Sequence, residues 1–232
     1  MSINVYWASI EKEYMLATPP ESVISTFHKK KFIDPDNRDS HIHHCPAFTD
    51  NLKNVFTMKS LYNYEFFLNN GALTSNNYDQ EFYDEHVLIR SYEKRFFSFK
   101  NSYLFFTDEP SLEVSFYEYP YFEDNNITQR CIPVPGKYDV GRWFRGTEFA
   151  FYLKSPHQSF KIEKDEVYSY MRFHTNEKIK FIEFNYSDKL QQFNQQRHEA
   201  ISKVPSLKKL ENYYKMLRHK KLILKEIKEN TI

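Results

Sequence analysis

Hydrophobic and polar residues alternate with a period of two along most of this chain up to residue 187, the signature of strands that bury one face. INVYWASI (3–10) is β-branched and aromatic and reads as a first strand. NVFTMKS (54–60) sets Val55, Thr57 and Lys59 on one face and Phe56, Met58 and Ser60 on the other. YNYEFFL (62–68) follows, and the Asn70-Gly71 pair after it is a hairpin turn signal, because both positions of the tightest hairpin turn require positive φ. HVLIRSY (86–92) and NSYLFFT (101–107) read as strands. LEVSFYEYPYF (112–122) has the cleanest alternation, and Pro120 ends it or places it at a sheet edge. TEFAFYLK (147–154) is another strand, FKIEKDEVYSYMRFHT (160–175) reads as strand, turn at Glu163–Glu166, then strand, and EKIKFIEFNYS (177–187) alternates again.

Helical signals are few. Pro19, Pro20 and Glu21 open a helix in TPPESVISTFHKK (18–30), with Val23, Ile24 and Phe27 on one face. FIDPDNRDSHIHH (32–44) reads as a loop. About ten strands without room for crossover helices predict a mainly β fold, an antiparallel β-sandwich of jelly-roll-like type. The pattern changes at residue 188. KLQQFNQQRHEAISKV (189–204) brings Leu190, Phe193, Arg197 and Ile201 near one helical face, Pro205 interrupts, and Ser206 caps a second helix. In that helix (206–230) Leu207, Leu210, Tyr214, Leu217, Lys221, Leu224 and Ile227 form a near-heptad stripe. The expected organisation is therefore a β-sandwich domain over 1–187 and a C-terminal helical extension over 188–232, packed on the sandwich or on a partner.

Composition narrows the function classes. Thirty-two basic residues against 31 acidic ones leave a formal charge of +1, so no global field favours nucleic acid or an anionic membrane. No apolar run approaches the roughly 18 residues of a membrane span. The N-terminal stretch lacks the apolar core of a secretory signal, and two widely spaced cysteines make no disulfide framework, so a soluble protein of a reducing compartment is expected. The 22 Phe and 18 Tyr, with abundant Asn, Ile and Lys and only four Gly, match the coding bias of an AT-rich genome, and core filling is their first reading. So few glycines leave no phosphate-cradling loop.

Two stretches carry candidate chemistry. HIHHC (41–45) gathers donors that zinc accepts. In an extended chain His41 and His43 point the same way, as in a cupin-like metal site, with His86 or His174 as a distant partner. Pro46-Ala47-Phe48-Thr49 follows where such a site wants a glutamate, so exposed loop histidines beside a core-facing Cys45 are the competing reading, and a Cys45–His nucleophile lacks an oxyanion turn. In VGRWFRGTEFAF (140–151), Arg142 and Arg145 flank Trp143-Phe144. If this is a strand, Arg142 and Phe144 face one side and Trp143 and Arg145 the other. Arg142, Trp143 and Arg145 are the candidate ligand contacts, for a carboxylate or phosphate; arginine stacked on tryptophan as internal packing is the alternative. Acidic pairs such as Glu81 with Asp84 and Glu85, or Asp165 with Glu166, read as solvated turns.

Cys45-Pro46-Ala47, Asn54-Val55-Phe56 with Ser60, Gly141-Arg142-Trp143-Phe144-Arg145, YSYMRFHTNEKIKFIEF (168–184) and the lysine-rich helix at 206–230 occur in an order that resembles a family of uncharacterised proteins of tailed bacteriophages, including T4-like phages of marine bacteria. The resemblance covers most of the chain after residue 44. Relatives often have proline after Trp-Phe-Arg, where this chain has Gly146. The resemblance implies a source and no activity.

Three functions are expected, in this order. The first is a non-enzymatic interaction protein of a phage, a virion component or a host-takeover factor. It would act in the host cytoplasm or the particle, bind a phage or host protein or self-associate through the C-terminal helix, and need no cofactor. The second is a small-ligand or nucleotide binder using Arg142, Trp143 and Arg145. The third is a cupin-like metal-dependent enzyme using His41 and His43.

Overall fold

A computed structural model describes residues 2–10, 18–25, 45–90, 95–117, 126–201, 209 and 219–232. Its architecture is mainly β, with antiparallel sheets that do not close into a barrel and helices at the C-terminal end.

The larger sheet runs in the order β13-β1-β6-β10-β8. Its strands are β1 (Ser2–Ser9), β5 (Val87–Arg90), β6 (Phe96–Phe106), β8 (Cys131–Pro133), β10 (Gly146–Leu153) and β13 (Lys178–Glu183). β5 and β1 lie end to end along one edge of β6, against Phe96–Phe99 and Tyr103–Phe106, while β10 takes the other edge. The β1–β13 pair is parallel, an exception to the antiparallel expectation. The two strands are separated by most of the chain, so no turn restricts their direction.

Opposite this sheet lie two smaller ones. One has the order β2-β12-β7-β9, from β2 (Val55–Lys59), β7 (Glu113–Tyr117), β9 (Gly136–Asp139) and β12 (Val167–Phe173). The other has the order β11-β3-β4, from β3 (Tyr64–Asn69), β4 (Ala72–Ser75) and β11 (His157–Ile162). These two are linked by a pair of strands that bend together. β2 runs into β3 and β11 into β12, yet β2 pairs with β12 and β3 with β11. The bend is held by Ser60 N donating to the Glu166 carbonyl at 2.8 Å and Asp165 N donating to the Ser60 carbonyl at 2.8 Å. Asp165 takes positive φ there (67°). The Glu163–Glu166 turn thus joins two sheets, and β11 and β12 do not pair with each other.

The inner faces form one core. Trp7, Phe97, Phe99, Phe105, Phe149 and Phe151 of the large sheet meet Phe56, Met58, Val114, Met171 and Phe173 of one small sheet, and Phe66, Leu68 and Phe160 of the other. The aromatics fill it by edge and offset contacts, such as Phe66 on Phe160 at 5.0 Å and Phe116 against Phe149 at 4.6 Å. The outer face of the large sheet is covered too. Tyr6, Ala8, Leu104, Phe106 and Phe184 pack against Leu190 of α4 (Asp188–Ile201) and Ile223 and Ile227 of α5 (Lys220–Glu229). β1 is therefore buried on both faces, which is why Val5–Ala8 is apolar throughout. The described tail packs on its own sheet. Lys221, placed on the apolar stripe by the heptad reading, is exposed, and Ile223 takes its place. The stripe positions from Leu207 to Leu217 lie outside the described residues.

Three short helices were not legible as such: α1 (Pro46–Asn51), α2 (Gln80–His86) and α3 (Asn126–Arg130). In α2, where acidic residues suggested a solvated turn, Asp79 caps the Phe82 amide at 2.9 Å and Tyr83 and His86 turn inward. Of the helix expected at 18–30, residues 23–25 are helical. Ser22 bridges to Phe56, and Thr57 N donates to the Glu21 carbonyl at 2.9 Å, covering the β2 edge. Residues 26–30 and Pro120 lie outside the described residues.

Candidate functional site

The Gly-Arg-Trp-Phe-Arg segment is a wound turn rather than a strand. The Arg142 and Trp143 amides both donate to the Asp139 carbonyl, at 3.1 and 2.9 Å, and the next strand starts only at Gly146. Within the turn Phe144 and Trp143 face opposite sides. Phe144, with no exposed surface, sits under the helices against Phe106, while Trp143 faces the inter-sheet core against Tyr138 at 5.3 Å. The Arg145 guanidinium lies 4.9 Å from the centre of the Trp143 ring, the cation–π stacking the sequence raised as the internal alternative.

Charges around this turn tie it to the C-terminal helices. The buried Asp139 carboxylate accepts the Gly141 amide at 2.8 Å and pairs with Arg142 Nε at 3.1 Å. Burial raises the pKa of Asp139 from the usual carboxylate value, opposed by Arg142, the Gly141 hydrogen bond and Lys220. Arg197 of α4, almost wholly buried, donates through Nη1 to the Arg142 carbonyl. Lys220, at the start of α5, donates to the Asp108 carbonyl at 3.3 Å, and burial lowers its pKa. Lys228 pairs with Asp108 at 3.4 Å. Across the helices Glu226 accepts from Lys189 at 2.6 Å and from Ser187 at 2.9 Å, and these bonds hold its pKa down. Arg142, Trp143 and Arg145 are thus brought together, and each has a partner within the chain.

His41 and His43 lie outside the described residues. Their suggested distant partners do not meet each other's surroundings. His86 is buried, stacked on Phe82 at 4.2 Å, with Nδ1 2.7 Å from the Phe82 carbonyl. His174, just past the end of β12, is exposed, with Nε2 2.8 Å from Ser115 Oγ, and partial desolvation together with Arg172 and Lys137 lowers its pKa. Cys45 is exposed rather than core-facing, since it precedes α1 instead of entering a strand. Among the described residues no group of three or more His, Cys, Asp or Glu is placed to hold a metal ion.

Two features were not anticipated. One is a pocket of about 140 Å3, open to solvent on one side, beneath the Pro133–Gly136 connection from β8 to β9. The other is the bare side of β4. Its outer edge has no ladder partner among the described residues, and Ala72-Leu73-Thr74-Ser75 carries no charge and no proline. Beside it Phe67 of β3, opposite Thr74, is 41% exposed. The alternation of YNYEFFL located β3 and the Asn70-Gly71 signal its hairpin turn, but only the pairing order shows that β4 ends a sheet.

No family model, curated protein or solved structure matches the chain.

Proposed function

We propose that this chain is a non-enzymatic interaction protein that receives an extended segment of a protein partner along β4. The phage source, and action in the host cytoplasm or the virion, belong to the same proposal and rest on the order of sequence motifs alone. The uncharged open edge of β4 carries the reading. Edge strands are usually blunted by lysine, proline, a bulge or a covering element, because open backbone groups template a further strand. The two-residue turn at Asn70-Gly71, both at positive φ, makes Asn69 and Ala72 a hydrogen-bonded pair, so Thr74 also faces Phe67 through the ladder. The backbone groups of Leu73 and Ser75 then point outward, toward the place where a fourth strand of this sheet would lie beside β4. Strand addition supplies affinity through the main chain and specificity through neighbouring side chains, here Phe67.

The test is affinity capture with the wild type and an Ala72→Lys/Thr74→Lys variant, using lysate of phage-infected cells and quantitative mass spectrometry. The expected result is a partner enriched by the wild type and reduced at least about tenfold by the charged edge. An identical set of captured proteins from a folded variant contradicts the reading.

The small-ligand alternative ranks second because both guanidinium groups of the Gly-Arg-Trp-Phe-Arg turn already have partners within the chain.

A further inference from the structure

The cavity under residues 133–136 is a product of the topology. β8 ends one edge of the large sheet and β9 ends one edge of a small sheet. The connection between them crosses the side of the sandwich as Pro133-Val134-Pro135-Gly136, tied to β10 by Val134 N donating to the Ala150 carbonyl at 2.8 Å. Two prolines restrict this crossing, so it does not collapse inward to fill the space. Beneath it, Phe116, Phe149 and Phe151 line a space of about 140 Å3. Their rings are held from behind: Phe149 by Tyr168 at 5.5 Å and Phe151 by Phe97 at 5.5 Å.

One polar side chain is placed on this lining with little else to do. Ser169 of β12 is 4% exposed, and no hydrogen bond to its hydroxyl occurs among the described residues. Its hydroxyl is the one neutral side-chain hydrogen-bonding group on an otherwise largely aromatic lining, so it favours a guest that supplies a partner. Glu148 also touches the cavity, and its carboxylate is paired with Arg90. The lining therefore holds no uncompensated charge to select an ionic guest.

We propose that this cavity is a binding site for a small, neutral, single-ring aromatic molecule carrying one hydrogen-bonding group, which pairs with the Ser169 hydroxyl. Enclosed apolar cavities of about 150 Å3 lined by aliphatic and aromatic side chains take up benzene, and this pocket offers a similar volume with one open side through which a guest enters. The site is independent of strand addition at β4, and either can exist without the other.

The experiment titrates the full chain with benzene and with phenol, following the thermal midpoint and the ring-proton resonances of Phe116, Phe149 and Phe151. Both probes are expected to bind saturably at one site and to shift those resonances. Phenol should bind about fivefold more tightly, the worth of one hydrogen bond. In Ser169→Val the preference for phenol should vanish while benzene binding persists. Gly136→Ala adds a methyl 3.8 Å from the Phe116 ring without backbone strain, and should weaken both probes. Absence of saturable binding by the wild type, shifts confined to other rings, or an unchanged phenol preference in Ser169→Val would overturn the proposal. The Ala72→Lys/Thr74→Lys variant should bind phenol like the wild type, so failure of the β4 reading leaves this result standing.

Discussion

A β-carbon on Gly141 would sit 2.7 Å from Lys220 Nζ and 2.9 Å from the Glu109 carbonyl oxygen. The lysine end can swing away, but the backbone oxygen cannot. Gly141→Ala is therefore expected to lower stability by about 1–3 kcal/mol, the usual cost of overpacking, whereas Gly136→Ala should leave it nearly unchanged. Chemical denaturation of the two variants checks this. The scarcity of glycine marks Gly141 in the sequence, but the reason for it does not show there, because Lys220 and Glu109 come from distant parts of the chain. The same holds for Arg197. It appears on the predicted helix face beside Leu190 and Phe193, yet its buried bond to the Arg142 carbonyl depends on how the helix docks. The Arg145–Trp143 stack was legible because both partners lie in one short segment.

At the scale of elements, strand positions were largely legible and sheet membership was not. Alternation marks β3, β7, β10 and β13, since each half-buried strand writes its own period, whereas β1, β2 and β12, buried at consecutive positions, are marked by their β-branched and aromatic residues. Which sheet each joins depends on long-range pairing. β2 and β3 look like neighbours and belong to different sheets, as do β11 and β12. α2 was missed because seven residues give too short a window for helical periodicity, although Asp79 before Gln80-Glu81-Phe82 was a usable cap signal. The described end of the tail settles onto the large sheet through Ile223 and Ile227, both without exposed surface. Ile227→Ala should cost about 2–5 kcal/mol, and Lys221→Ala should be near neutral. Increased exchange of α5 amides in the first variant and not the second would confirm that this helix is held by the sheet; equal behaviour would place its support elsewhere.

Over the whole molecule, burial is distributed in layers: helices, the large sheet, then the two small sheets. The faces that cover one another were implied by composition, because so many aromatics need a large core. Neither the open edge nor the cavity was implied, as each depends on where an element ends relative to its neighbours. The guanidinium groups that first suggested ligand contacts are engaged within the turn at 139–145, and Arg197 ties that turn to the C-terminal helices through the Arg142 carbonyl. The proposed activity falls instead on backbone groups, which carry no mark in a sequence. Its most direct test is amide hydrogen exchange of β4, alone and with the captured partner. In the isolated chain the Leu73 and Ser75 amides should exchange rapidly while Thr74, bonded across to Phe67, is slower. With partner bound, Leu73 and Ser75 should slow by about tenfold or more. Protection that appears elsewhere while these two amides remain fast would contradict strand addition at β4.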